Sequence, residues 1–192
     1  MRRLLLPLFT GLALVAGPVV LAAPATAETL VVQDAKKDVR VMDMETGSVT
    51  KDPAVRDHDI VRTRVAHRRH ALVVRVKHRS LTGPKAMQGT SVRIVTRDEE
   101  FSADWFRIKG MGTFVELTDQ NGETVECKVT ATNRPKKALR TLRVPRTCLG
   151  EPTWVRVNPM SLTVRKNDYR VDFGMGGGMR SSDRLTRRVR VG

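Results

Sequence analysis

From residue 30 onward, apolar and polar positions alternate with a period of two, and β-branched residues crowd the alternating runs. No segment sustains the 3.6-residue apolar period of an amphipathic helix, so the pattern predicts an all-β chain. Short strands are expected over residues 30–33 and 39–44, followed by a polar stretch at 45–57 that reads as loop through Gly47 and Pro53. Further strands are expected within 60–79 and over 91–97, 105–109, 113–118, 123–132, 139–144, 153–157, 162–164 and 169–173. About nine or ten strands at this spacing fit an antiparallel two-sheet β-sandwich.

Residues 60–79 carry the clearest signal, because the segment can pair with itself through a turn at His67-Arg68-Arg69-His70. With Ala66 opposite Ala71, Val65 faces Leu72, Thr63 faces Val74 and Val61 faces Val76, so one face of the hairpin is apolar. The other face carries Arg62, Arg64, Arg75 and Lys77, with Ile60 and Val73 among them. This is the pattern of an antiparallel pair with one side on a core and the other toward water. A second turn is expected at Asp119-Gln120-Asn121-Gly122, since Asn-Gly readily adopts positive φ. In the strand after it, Val125, Cys127, Val129 and Ala131 share one face, which points Cys127 inward.

The N-terminus changes the picture of where the chain works. Arg2 and Arg3 precede an apolar run over residues 4–21, and Ala25-Thr26-Ala27 supplies a small-x-small cleavage triplet. Residues 1–27 are therefore expected to be a secretory signal peptide, residues 28–173 a single β-sandwich domain, and residues 174–192 a Gly/Arg-rich flexible tail. Residues 185–191 could still add a short edge strand. No later stretch approaches the ~18–20 apolar residues of a membrane helix, so no membrane span is expected once the signal is removed. An exported chain with two cysteines has one intramolecular pairing open to it, and a Cys127–Cys148 disulfide is expected. Closing a loop of that size stabilises by roughly 3 kcal/mol in the chain-entropy account.

Charge then narrows the candidate chemistry. The full chain carries +15, and the 33 basic and 20 acidic residues left after removal of residues 1–27 give +13. The hairpin's exposed face, Arg62, Arg64, Arg75 and Lys77, extended by Arg93 and Arg97 on the next strand, would form a basic plate suited to an anionic polymer. Arg62 and Arg75 are expected opposite each other there. Aromatic residues that could stack on bases are scarce, which argues against nucleic acid. The tail adds Arg180, Arg184, Arg187, Arg188 and Arg190 against Asp183 alone.

His67 and His70 bracket the hairpin turn while His58 and His78 lie at its other end, a separation that disfavours a shared transition-metal site. Asp34, Asp38, Asp57 and Asp59 offer oxygen ligands for calcium, although their spacing matches no EF-hand loop. Beyond calcium no cofactor is expected. Asp98, Glu99, Glu100 and Asp104 could supply the carboxylate pair of a glycoside hydrolase. No Gly-x-Ser-x-Gly elbow, phosphate loop or His-Glu-x-x-His motif is present, so no catalytic residue is assigned. Trp105 and Trp154 sit in strands, where burial in a core and a sugar-stacking platform are both open.

Several stretches resemble a group of secreted, uncharacterised proteins of Gram-positive bacteria: Asp34-Ala35-Lys36-Lys37-Asp38-Val39, then Asp57-His58-Asp59-Ile60-Val61 leading into the strand over residues 73–78, and Val144-Pro145-Arg146-Thr147-Cys148-Leu149-Gly150 with Trp154-Val155-Arg156-Val157. Lys37 stands where such relatives often have glycine. Their plan is similar to the sandwich of DOMON domains and family 9 carbohydrate-binding modules, which bind sugar or haem; no haem ligand can be assigned here. The expectation is a secreted, non-catalytic module at the cell envelope that recognises an anionic cell-wall polymer or carbohydrate. The rival expectations are a hydrolase acting on an envelope polysaccharide and a structural protein with a protein partner.

Overall fold

The computed structural model describes residues 28–81, 86–165, 168–175 and 183–192. The expected signal peptide at 1–27 lies outside the described residues. The chain is an all-β sandwich of two antiparallel sheets, with thirteen strands among the described residues against the nine or ten expected. Two of the additional strands lie in the polar 45–57 stretch and at the C-terminal end.

The smaller sheet has the order β1 (Glu28–Gln33), β4 (Ile60–Arg68), β5 (Ala71–His78), β10 (Leu139–Pro145) and β9 (Thr130–Arg134). The larger runs β3 (Val49–Lys51), β2 (Arg40–Asp43), β12 (Asp168–Phe173), β11 (Trp154–Val164), β6 (Met87–Val95), β7 (Glu100–Ile108) and β8 (Gly112–Asp119). Strand β13 (Val189–Arg190) pairs with β11 off that path. Between the sheets lie Val65, Leu72, Val74 and Val76 of the hairpin, Leu142 and Val144 of β10, and Val92, Ile94, Phe101, Trp105, Val155 and Val157 of the larger sheet. Each fully buried aliphatic side chain of this kind contributes about 1.5–3 kcal/mol relative to exposure.

The β4–β5 hairpin forms, but with a register two residues from the expected one. Arg68 pairs with Ala71 across a two-residue turn, Ala66 with Val73, Val65 with Val74 and Thr63 with Val76. Because side chains alternate, a shift of two leaves each residue from Arg62 onward on its expected face and changes only its partner. Arg64, not Arg62, thus stands opposite Arg75, and Arg62 opposite Lys77. A bulge between Ile60 and Arg62 turns Ile60 into the core, away from the basic face assigned to it by strict alternation.

Strand β11 replaces two expected strands by running through Pro159. Backbone N and C=O of one residue point to the same side of an antiparallel strand, and Pro159 C=O accepts from Gly174 N at 2.8 Å. The missing proline donor therefore falls where β12 ends and the chain turns away at Gly174, so no ladder bond is lost.

Residues 123–132 do not form one strand. Thr124 bridges Thr118 after the Asn121-Gly122 turn, the chain then leaves the larger sheet, and β9 joins the smaller one. Val125, Cys127, Val129 and Ala131 nevertheless all pack against the core, as their alternation predicted. Cys127 and Cys148 are disulfide-bonded with their Cα atoms 6.0 Å apart, tying this crossing segment to the end of β10.

The flexible end expected from residue 174 is corrected for residues 174 and 183–192. Gly174 is packed so closely that a Cβ there would lie 2.7 Å from Pro159 Cγ. Val189 is fully buried, Thr186 Oγ1 accepts from Val157 N, and Gly192 N donates to His67 O. The segment reaches from β11 to β4 and β1, where the Glu28 carboxylate accepts from Arg187 Nη1 and Arg190 N. The strand allowed for within 185–191 is β13.

Candidate functional site

The outer face of the smaller sheet is assembled from alternate positions of its five strands. It carries Arg62, Arg64 and Arg68 of β4, Arg75 and Lys77 of β5, Arg143 of β10 and Arg134 of β9, and no strand position on that face is acidic. Val31, Arg62, Arg64, Arg75, Lys77 and Leu139 line a shallow groove across it. Ala66, Ala71 and Val73 form a small buried apolar cluster beside the groove, where Arg64, Arg68 and Arg75 lie against Ala66 and Val73. Among the described residues no carboxylate pairs with Arg62, Arg64, Arg75 or Lys77; Lys77 Nζ donates to Lys137 O at 2.5 Å. The like charges of Arg64 and Arg75, directly across one strand pair, therefore face each other with no paired carboxylate among the described residues.

Arg93 and Arg97 do not extend this plate. Strand β6 belongs to the other sheet, where Arg93 forms a bidentate pair with Glu100 at 2.5 and 2.7 Å, and Arg97 stands exposed beside Asp98. The face is completed instead by Arg68 at the end of β4 and by Arg134 and Arg143, which pairing of β10 and β9 onto the hairpin brings into line. A second concave surface, lined by Arg56, Asp57, Arg79, Arg165 and Arg170, differs in its charge balance. There Arg79 pairs with Asp59 at 2.6 Å, Arg170 with Asp168 at 2.6 Å, and Arg165 lies 4.0 Å from Asp57.

The expected acidic group is brought together in part. Asp34, at the end of β1, and Asp38, in the β1–β2 connection, meet Asp172 of β12, with one oxygen of each within 4.8 Å of the others. Asp59 joins electrostatically: its charge raises the pKa of both Asp38 and Asp172. Asp57 is directed elsewhere, to His58 Nδ1 at 3.9 Å and Arg165. Asp172 was missed because it shares a face of β12 with Asp168 and Arg170, opposite Tyr169, Val171 and Phe173, so alternation alone places it outward. Burial pushes its carboxyl up to about 9, even though its Oδ2 accepts from Ile60 N at 2.5 Å. Lys37 N donates to Asp59 Oδ2 from a left-handed backbone, φ 68°, the conformation that glycine adopts most cheaply.

Arg140 is the other residue that sequence reasoning passed over. It shares the inward face of β10 with Leu142 and Val144 and is 1% exposed. Its Nη1 donates to Gly89 O and Thr90 Oγ1, and its Nη2 to Gln88 Oε1, all at 2.8 Å. The guanidinium lies 4.0 Å over the Trp105 ring, so this tryptophan is a core residue rather than a sugar platform. Desolvation lowers its pKa to about 9, which leaves it charged at neutral pH. A guanidinium only donates, so His58 Nε2, 3.4 Å from Nη2, is the acceptor and carries its proton on Nδ1, toward Asp57.

His78, in ring contact with His58 at 6.1 Å, meets Ser161 Oγ through Nε2. His67 Nδ1 donates to Val189 O at the other end of the hairpin, and His70 is exposed in the turn. Trp154 carries Arg188 4.3 Å over its ring. Of the second acidic group, Asp104 is buried next to Ser91 and Ser102, with its pKa raised by desolvation, while Glu100 is engaged by Arg93.

Comparison of the chain with family models, with curated proteins and with solved structures finds no match.

Proposed function

We propose that the protein is an exported, non-catalytic binding module of the cell envelope that holds an anionic polymer on the outer face of its smaller sheet. The observation that carries this reading is the seven basic side chains on a face with no acidic strand position. Rigid strands hold the cations in a fixed array, so a polyanion meets them with little ordering cost to the protein. The export signal read in residues 1–27 takes the chain to wall polymers, and the disulfide suits an oxidising exterior. No helix among the described residues is long and apolar enough to cross a membrane. The likeness to sugar-binding sandwiches is consistent with this use of a sheet face, without transferring any residue.

A hydrolase is the weaker reading. It would need two carboxylates converging on an open cleft, and the convergent pair Asp38 and Asp172 is 7% and 3% exposed.

Sedimentation of the purified protein with cell wall, with and without its anionic polymers, tests the proposal. Binding is expected only to wall that retains them and to weaken steeply with salt, as screening shortens the ~10 Å Debye length of 0.1 M salt. Equal binding to both walls at every salt concentration would overturn it.

A further inference from the structure

Asp34 and Asp38 of the connection from β1 to β2 meet Asp172 of β12, distant in sequence, where that connection crosses from one sheet to the other. We propose that these three carboxylates bind a divalent cation of the size and hardness of calcium, with Asp59 strengthening the negative field from the second shell of charge.

Geometry supports this first. Calcium holds carboxylate oxygens at about 2.4 Å, so two of its ligands can lie at most about 4.8 Å apart. The three oxygens here all fall within 4.8 Å of one another, close enough for one ion to reach each.

The second support is independent of the clustering. Asp38 is 7% exposed, and its Oδ1 is buried with no hydrogen-bond donor. Asp59 is fully buried, and its Oδ1 likewise lacks a donor, while its Oδ2 takes Arg79 and Lys37 N. A carboxylate oxygen removed from water and left without a donor is costly, and the fold would be expected to compensate. Arg79 compensates Asp59 alone by direct contact, and the pulls of Lys51 and Arg40 on Asp38 are outweighed by burial and by Asp59. A hard cation held by the three carboxylates would give buried Asp38 the partner it lacks, and it takes oxygen ligands by preference.

The position also gives the ion a task. Asp34 directly follows β1 of the smaller sheet and Asp172 lies in β12 of the larger, with Asp38 further along the connection to β2. An ion on all three would pin the crossing segment to both layers, close to the edge of the basic sheet.

The test uses the purified protein with calcium chloride or a chelator, and the variants Asp38→Asn and Asp172→Asn. One calcium per chain is expected by titration calorimetry, with the melting temperature at saturating calcium raised by about 5 °C or more. Each variant should lose the calcium response; in chelator Asp38→Asn should melt higher than the unaltered protein, because the amide removes the repulsion from Asp59, whereas Asp172→Asn should melt much like it, because that carboxyl is already neutral. No calcium uptake and no thermal shift in the unaltered protein would overturn the proposal and leave a proton as what holds the cluster together. A shift that persists undiminished in both variants would overturn it equally, by assigning the ion to another place. Should a variant fail to fold, the titration of the unaltered protein decides alone.

Discussion

Arg64 and Arg75 stand directly opposite each other on adjacent strands, in the middle of a sheet face with no acidic strand position. Like charges so placed destabilise a sheet by roughly 0.2–1 kcal/mol, and an anionic ligand would remove that cost on binding. Arg64→Thr keeps a good strand residue and deletes the repulsion. In dilute buffer the variant should unfold at slightly higher denaturant than the unaltered protein, with the gap closing as salt rises. Its binding to anionic wall polymer should weaken. A variant that is both less stable and equally well bound would mean that neighbouring groups already neutralise the pair.

A different balance holds for the buried cation of the interior. Arg140→Met removes donors from Gly89 O, Thr90 Oγ1 and Gln88 Oε1 together and lifts a guanidinium from the Trp105 ring. Methionine fills part of the space but leaves buried acceptors without partners, at about 1–3 kcal/mol for such a group. Urea unfolding should register a loss of about 3 kcal/mol or more. Arg140→Lys should not rescue it, because a point charge cannot serve three acceptors fixed by a planar fork.

How much of this was legible depends on what alternation encodes. It assigns faces, and so the core side of the hairpin and the inward line of Val125, Cys127, Val129 and Ala131 were readable from residues alone. It does not assign neighbours. Arg93 was placed beside the basic hairpin because it follows in sequence, whereas β6 pairs with β7 and β11 in the other sheet. Arg134 and Arg143 were overlooked for the converse reason, as strands distant in sequence bring them alongside. Arg140 could have been found: it occupies an inward position of its strand's alternation with Leu142 and Val144, and a charge there is a signal in itself, whereas Asp172 alternates with Asp168 and Arg170 and carries no such mark. Pro159 and the packed positions Gly174 and 183–192 were misread because composition was allowed to outweigh pairing.

Acid should loosen the fold through its buried histidines. Desolvation lowers the pKa of His67, and it lowers that of His78 well below the ordinary value of 6.5. The unfolded chain then takes up protons first as pH falls, so the stability each neutral ring confers is complete above pH ~6.5 and declines below it toward the folded-state pKa. The slope approaches ~1.4 kcal/mol per pH unit for each such group. His78→Asn, which cannot charge, should be less stable than the unaltered protein at pH 7.5 through lost packing. The difference should narrow measurably by pH 5 in denaturant titrations. A constant difference over that range would mean that His78 charges equally easily in both states.

The end of the chain offers the sharpest separation between an ordered and a dispensable segment. A Cβ at Gly174 would meet Pro159 Cγ at 2.7 Å and both Ile60 Cγ2 and Thr63 Oγ1 at 3.1 Å, three contacts from two sheets. Gly174→Ala should therefore cost about 1–3 kcal/mol, the usual range for overpacking a filled core. Ending the chain before Asp183 should cost at least as much, because it uncovers the core side chains under Val189 and removes the bonds from Val157 N to Thr186 Oγ1 and from Gly192 N to His67 O. Both variants can be followed by thermal unfolding of the oxidised protein. If both melt like the unaltered chain, residues 174–192 contribute nothing to the fold, and the packing of Val189 against β11 would have to be abandoned.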